Sequence, residues 1–357
     1  MKAVIYSSIL YIFATQSLFA QYEFDIVKDI HPTGSSNPDN FIEFNGKLFF
    51  TAYDPVVGNE IFYSDGTESG TVLLKDINLS TGSYAEFKLV SGGLLYFTAY
   101  NSTNGIELWV TDGTESGTYL LKDINSGNGD SEPDNFVELN GLVYFSAFNS
   151  MYGNELWVTD GTTPGTQLLK DIYPGTLSGN PNNLTVIDDM IYFSATDDTY
   201  STELWVSDGS LSGTILLADI NSSGASIPAD FTKFQGKIFF AATTATFGRE
   251  LWVTDGTTVG TQMFKNINSS GSSMPTEFCV LNDKLIFRAN NGVNGTEIWV
   301  SDGTTGGTSL LKDIEPSGSS LPNQFKEYNN KIYFSADTDI SGRELWVTDG
   351  TPAGTVQ

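Results

Sequence analysis

The segment Glu107-Leu108-Trp109-Val110-Thr111-Asp112-Gly113-Thr114 decides how this chain is read, because close copies of it return along the whole sequence. Marked by their aspartate, the copies are Asp65, Asp112, Asp160, Asp208, Asp255, Asp302 and Asp349, spaced by 47, 48, 48, 47, 47 and 47 residues. A period of this length is the size of one propeller blade. All six tryptophans (Trp109, Trp157, Trp205, Trp252, Trp299 and Trp346) fill one slot of the copy, and Phe62 fills it in the first. One large aromatic per repeat at fixed phase points to a shared packing role.

Working outward, each repeat reads as four short strands, a to d. Strand a carries an aromatic or leucine (Phe41, Phe87, Phe136, Leu184, Phe231, Phe278, Phe325), and a tight turn follows it. Asn45-Gly46 and Asn140-Gly141 suit a two-residue hairpin, since both central positions there need positive φ. Strand b is an apolar run ending on alanine in all seven copies: Ala52, Ala99, Ala147, Ala195, Ala242, Ala289 and Ala336. Strand c is the Glu-Leu-Trp-Val stretch, and an Asp-Gly-Thr-x-x-Gly-Thr turn reverses the chain into strand d. If Thr111 pairs with Thr118 across that turn, a regular ladder sets Glu107 opposite Lys122. The same register pairs Glu60 with Lys75, Glu155 with Lys170, Glu250 with Lys265 and Glu297 with Lys312, as register-fixing ion pairs.

The seventh copy stops at Thr355-Val356-Gln357, where its strand d should begin, while Phe24 to Ile30 reads as a strand d with no a, b or c before it. The expectation is an all-β, seven-bladed β-propeller of four-stranded antiparallel blades, closed by the N-terminal strand 24–30 completing the last blade. Arg343 or Glu344 should then touch residues 28–29.

The repeated Glu-Leu-Trp-x-x-Asp-Gly-Thr motif resembles the ELWxxDGT repeat family of exported bacterial proteins. Residues 107–114, 155–162, 250–257 and 344–351 all fit it; the first copy departs at Ile61-Phe62-Tyr63, and the fourth has Ser210 for threonine. The resemblance covers the chain from about residue 24 onward. It implies a secreted, propeller-like repeat array and no particular enzymatic activity. The c-to-d turn is also similar to the Asp-box turns of sialidase propellers, which are structural.

Residues 1–20, with Lys2, an apolar run from Val4 to Ala14 and small Ala20, read as a secretory signal peptide, leaving 21–357 as a single propeller. No other apolar run is long enough to span a bilayer. The formal charge of −26 disfavours nucleic acid and anionic membrane as partners. Cys279 has no partner for an internal disulfide. The expected product is a secreted, extracellular or cell-surface monomer.

In this scheme the a-to-b and c-to-d turns share one face, and the variable b-to-c and d-to-a loops share the other. Tyr152, Tyr200 and Phe247 each fall three residues before the motif glutamate, and are the candidate ligand-binding residues, an aromatic platform for a sugar or peptide. Oxygen-rich d-to-a loops, above all Asp130, Glu132 and Asp134, raise the question of calcium, although spacing favours turn chemistry and no cofactor is expected. Sialidase chemistry needs an arginine triad, whereas Arg249, Arg288 and Arg343 are the only arginines and Arg249 and Arg343 are expected beside strand d. His31 is the only histidine, which disfavours histidine-based triads and metal sites. The functional expectation is a non-catalytic binding or adhesion module for a glycan or protein, with a purely structural repeat and then a propeller glycosidase as alternatives.

Overall fold

A computed structural model describes residues 25–79 and 81–357, so the proposed signal peptide and Phe24 lie outside the described residues. Every regular element described is a strand. They form six four-stranded antiparallel sheets ordered a-b-c-d along the chain and one three-stranded sheet ordered a-b-c. Blades 1 to 7 span 39–75, 86–122, 134–170, 182–218, 229–265, 276–312 and 323–348. The fold is an all-β propeller. Strands a of successive blades touch one another, which makes a the inner strand.

The Asp-Gly-Thr turn is built the same way in each blade. Asp112 Oδ1 accepts from Thr114 N and Oγ1, and Thr114 Oγ1 accepts from Gly117 N. The Thr114 hydroxyl and amide hold the Asp112 carboxyl below the usual carboxylate range. Gly113 sits at φ 92°, and a side chain at Gly117 would run into the Asp112 carboxylate, so both positions demand glycine. Thr111 and Thr118 do face each other, with their buried hydroxyls 2.7 Å apart.

Between motif glutamate and tryptophan the structure departs from the regular ladder. Strand c (Gly105–Thr111) pairs Leu108, not Glu107, with Lys122, and an irregularity follows before Trp109 pairs with Leu120. The same shift recurs at Ile61 with Lys75, Leu156 with Lys170, Leu251 with Lys265 and Ile298 with Lys312. The expected glutamate–lysine pairs therefore do not form. A bulge leaves one residue unpaired and turns the side-chain sequence over, which a strict period of two cannot anticipate. The lysines instead reach the next blade: Lys75 Nζ donates to Thr118 O at 2.5 Å, and Lys265 Nζ to Thr308 O at 2.5 Å.

Freed from lysine, Glu60, Glu107, Glu155, Glu203, Glu250 and Glu297 turn inward and are fully buried. Each is surrounded by donors from the following d-to-a loop. Glu107 accepts from Ile124 N at 2.8 Å, Asn125 N at 3.1 Å and Ser131 Oγ at 2.6 Å. Glu250 accepts from Ile267 N, Asn268 N and Ser273 N and Oγ. Burial raises Glu60, Glu107 and Glu155 to about 7, with the donors pulling the other way, and raises the other three as well. These carboxylates fasten each d-to-a loop to its own blade.

Hydrophobic clusters lie between blades, not within them. Phe44, Phe49, Ile61 and Leu74 of blade 1 meet Leu95, Phe97, Ala99 and Trp109 of blade 2, and the pattern repeats down the chain. The seven strand-b alanines are buried at these boundaries, where a small side chain lets the neighbouring blade approach.

Ring closure is not seen. Blade 7 has three strands, with only an isolated Val347–Val356 bridge on its outer edge. The expected contact from Arg343 or Glu344 to residues 28–29 is absent: Arg343 bonds Ser335 Oγ, Leu321 O and Asp337, and Glu344 is exposed. Residues 25–30 form no strand and lie against blade 1, where Ile30 packs on Phe50, Ala52 and Phe62.

Candidate functional site at the inner rim

Just before each strand a, one non-glycine residue is held at positive φ. The seven are Asn37, Tyr84, Glu132, Asn180, Ile227, Met274 and Leu321, with φ between 43° and 48°. Asparagine tolerates this conformation; a β-branched isoleucine does not, at a cost of about 1–2 kcal/mol. Most are tied by their own N–H to the start of strand c in the preceding blade: Tyr84 to Asn59 O, Asn180 to Asn154 O, Ile227 to Thr202 O, Met274 to Arg249 O and Leu321 to Thr296 O. The tie fixes the backbone of these five, and all seven side chains are exposed.

These seven side chains divide the rim into two arcs. Blades 1 to 4 present Asn37, Tyr84, Glu132 and Asn180. Asp39, Glu86 and Asp134 lie nearby, and Lys88 pairs with both Glu86 and Asp134. Tyr84, Glu86, Lys88, Glu132 and Asp134 line an open polar cavity of about 340 Å³. Blades 5 to 7 present Ile227, Met274 and Leu321, three exposed apolar side chains in a row.

All three arginines brace the apolar arc. Arg249 Nη1 donates to Ile227 O at 2.7 Å, Arg288 Nη1 to Pro322 O at 3.2 Å, and Arg343 Nη2 to Leu321 O at 3.3 Å. Arg249 and Arg343 therefore do not lie beside strand d as expected; a residue one place before the motif glutamate faces the inner loop. Asp230, at φ 63° as the second residue of strand a (Ala229–Phe234), feels both Arg249 and Arg288. Loss of water holds the Asp230 carboxyl above its ordinary range, against the pull of Arg249.

The aromatic candidates lie elsewhere. Tyr152 is half-buried, while Tyr200 and Phe247 are exposed on successive b-to-c hairpins. Phe247 lines a cavity of about 260 Å³ with Asn221, Trp252 and Met263, between its blade and the loop that follows blade 4. Among the described residues no ring pair includes any of the three. The calcium candidates are already engaged: Asp130 Oδ1 accepts from Ile106 N, and Asp134 pairs with Lys88. No group of three or more His, Cys, Asp or Glu that could hold a metal ion occurs among the described residues. Sequence reasoning missed the rim because its seven positions carry six different residue types. The shared signals were a serine directly before all but Asn180 and a proline directly after Asn37, Glu132, Asn180, Ile227, Met274 and Leu321.

No family model and no curated protein matches this chain. Solved structures that it resembles include a puromycin hydrolase (13% identity, TM-score 0.47, covering 90% of this chain and 53% of that one) and a puromycin-hydrolyzing peptidase of Mycobacterium tuberculosis (9%, 0.47, 90% and 53%). A structure from a study of two prolyl endopeptidases also matches (10%, 0.48, 88% and 48%). The chain spans about half the length of these proteins. Their likeness extends to the propeller architecture alone and gives this chain no activity. It does correct the functional expectation: propellers of this kind are found here in peptidases, so the fold does not entitle the chain to the role of a non-catalytic adhesion module.

Proposed function

We propose that the rim of blades 5 to 7 receives a small ligand carrying an apolar side chain and a carboxylate, the chemistry of a short peptide's C-terminal end. One observation carries this reading: Ile227, Met274 and Leu321 are exposed at positive φ, and the three arginines of the sequence donate to the backbone of the loops carrying Ile227 and Leu321. About half of each of these side chains faces solvent, and asparagine or glycine would relieve the backbone at all three positions. Apolar side chains beside guanidinium groups suit a ligand with an apolar body and one carboxylate, for which arginine offers paired donors. Adhesion to a glycan or protein surface forms no part of this reading, and no catalytic residue is assigned. Titration calorimetry with acetyl-Leu-Leu-Leu as free acid and as amide tests it. Binding of the acid, lost with Met274→Asp and weakened at least tenfold by amidation or Arg288→Ala, is the expected result. No heat with the acid, or equal affinity for acid, amide and the Met274→Asp variant, would overturn it.

The remaining sequence expectations enter as part of the same proposal. Residues 24–30 complete blade 7 and close the ring, and the chain is an exported ELWxxDGT-type protein whose mature form begins near Gln21. N-terminal sequencing of protein from culture medium checks the last point; a retained Met1 would refute it.

A further inference from the structure

We infer that Glu344 is the seventh buried carboxylate of the ring, seated against this chain's own segment 25–36, with Ser36 Oγ and the Ile30 and His31 N–H groups as its donors. The inference rests on the ring closure proposed above and adds the chemistry that seals it.

Six such sites are already formed. In each, the motif glutamate sits within reach of one N-terminal pair of amides and one later residue of the following loop. For Glu60 these include Asn78 N and Ser83 Oγ; for Glu203, Ile220 N and Ser226 N and Oγ; for Glu297, Ile314 N and Ser320 N and Oγ. Moving Ile77, Asn78 and Ser83 back by one 47-residue period lands on Ile30, His31 and Ser36. The sequence thus contains a seventh set of donors, placed before blade 1 instead of after blade 7.

Segment 25–36 already occupies that station relative to blade 1. Lys28 Nζ reaches Glu68 O over a separation of 40 residues, as Lys75 reaches Glu115 O and Lys265 reaches Thr305 O over 40. Ser36 O accepts from Tyr53 N at 2.7 Å, as Ser83 O does from Tyr100 N at 2.8 Å and Ser226 O from Thr243 N at 2.8 Å. Ile30 packs on Phe50, Ala52 and Phe62, as Ile124 packs on Phe145, Ala147 and Trp157. These are the contacts that an outer strand and its loop make with the blade ahead. What is missing is the blade behind.

Blade 7 has the matching deficit. Among the described residues no hydrogen bond reaches the Glu344 carboxylate. Leu345 is 65% exposed, whereas Leu108, Leu156, Leu204, Leu251 and Ile298 in the same slot are 0% exposed. Tyr328 of blade 7 and Leu48 and Val27 across the gap are exposed too, in slots that are mostly buried elsewhere, and Phe41 is exposed in a slot that is buried or half-buried in the other blades. They are the two halves of a seventh inter-blade cluster. Repeating the register of strand c in the other blades sets Leu345 opposite Lys28 and Trp346 opposite Ile26. Such an edge, left open, would expose unpaired strand groups and apolar surface together.

The test is a double-mutant cycle on the mature chain, Ser36→Ala with Glu344→Gln, read by the thermal midpoint and compared with Ser226→Ala and Glu203→Gln. The expected result is that each single change lowers the midpoint and the pair lowers it by less than the sum, as in the control cycle. Additive changes no larger than that of exposed Glu115→Gln would overturn the seat. Leu345→Asp separates the two claims. If it lowers the midpoint as Leu108→Asp does while the cycle stays additive, closure stands and Glu344 is not its lock; if it changes nothing, both fall. Light scattering completes the test: a monomer is expected, and a dimer whose midpoint rises with concentration would overturn the intramolecular seat by supplying segment 25–36 from a second copy.

Discussion

Six blade boundaries are sealed and one is not, and the contrast separates what a repeat supplies by itself from what it borrows. At the boundary of blades 2 and 3, Leu108, Val110, Leu121 and Ile124 are buried against Val143, Phe145 and Trp157, and Glu107 is wrapped in donors. At the boundary of blades 7 and 1 the same sequence signature, Glu344-Leu345-Trp346-Val347, stands exposed at its first two positions. The motif is therefore not self-sufficient. Its glutamate and leucine are satisfied only by the loop that follows strand d and by the next blade, so each repeat is finished by its neighbour.

The largest expected effect is at the apolar core of a boundary. Leu108→Asp places an unpaired charge in a fully buried slot and should cost about 3–5 kcal/mol in denaturant unfolding. Leu345→Asp should cost nearly as much if the seventh boundary closes, and no more than about 0.5 kcal/mol if it stays open. Next in size is the carboxylate itself: Glu250→Ala leaves buried donors without an acceptor and should cost about 2–3 kcal/mol, while exposed Glu115→Ala should be nearly silent.

A pH series sharpens the same contrast. Burial raises Glu60, Glu107 and Glu155 to about 7 in the folded chain, against an ordinary 4.5, and raises Glu203, Glu250 and Glu297 in the same direction. The folded state therefore holds more protons between those values, so the stability they contribute is complete below about 4.5 and is lost as pH rises through about 7. The thermal midpoint should fall from pH 5 to pH 8, and Glu107→Gln should flatten the fall; a midpoint that rises over this range would contradict it. The smallest effect concerns the strained rim, where Ile227→Asn should stabilise the chain by about 0.5–1 kcal/mol while weakening ligand binding. A loss of stability there would mean that the isoleucine packs more than it strains.

Much of the fold was legible in the sequence because the period, the alanine at the end of strand b and the Asp-Gly-Thr turn are each fixed by local chemistry. Thr111 and Thr118 meet as the turn requires, and the asparagine–glycine turns adopt positive φ at Asn45, Gly46, Asn140 and Gly141. The bulge after Leu108 was not legible, since nothing in the side chains marks the extra residue, and one slip converts an apparent surface ion pair into a buried carboxylate. The rim was illegible for the opposite reason. Its positive φ comes from a hydrogen bond to another blade, as Met274 N to Arg249 O, so the residue type there is free to vary. The arginines converge from different slots of the repeat, which no single-repeat reading brings together.

Amide hydrogen exchange on the mature chain tests the central claim most directly, by comparing strand c of blade 7 (Gly342–Thr348) with strand c of blade 5 (Gly248–Thr254). The account predicts equally slow exchange in the two strands, with Glu344→Gln or Leu345→Asp accelerating the first alone. Rapid exchange of Gly342–Thr348 in the unaltered chain, unchanged by either substitution, would contradict it.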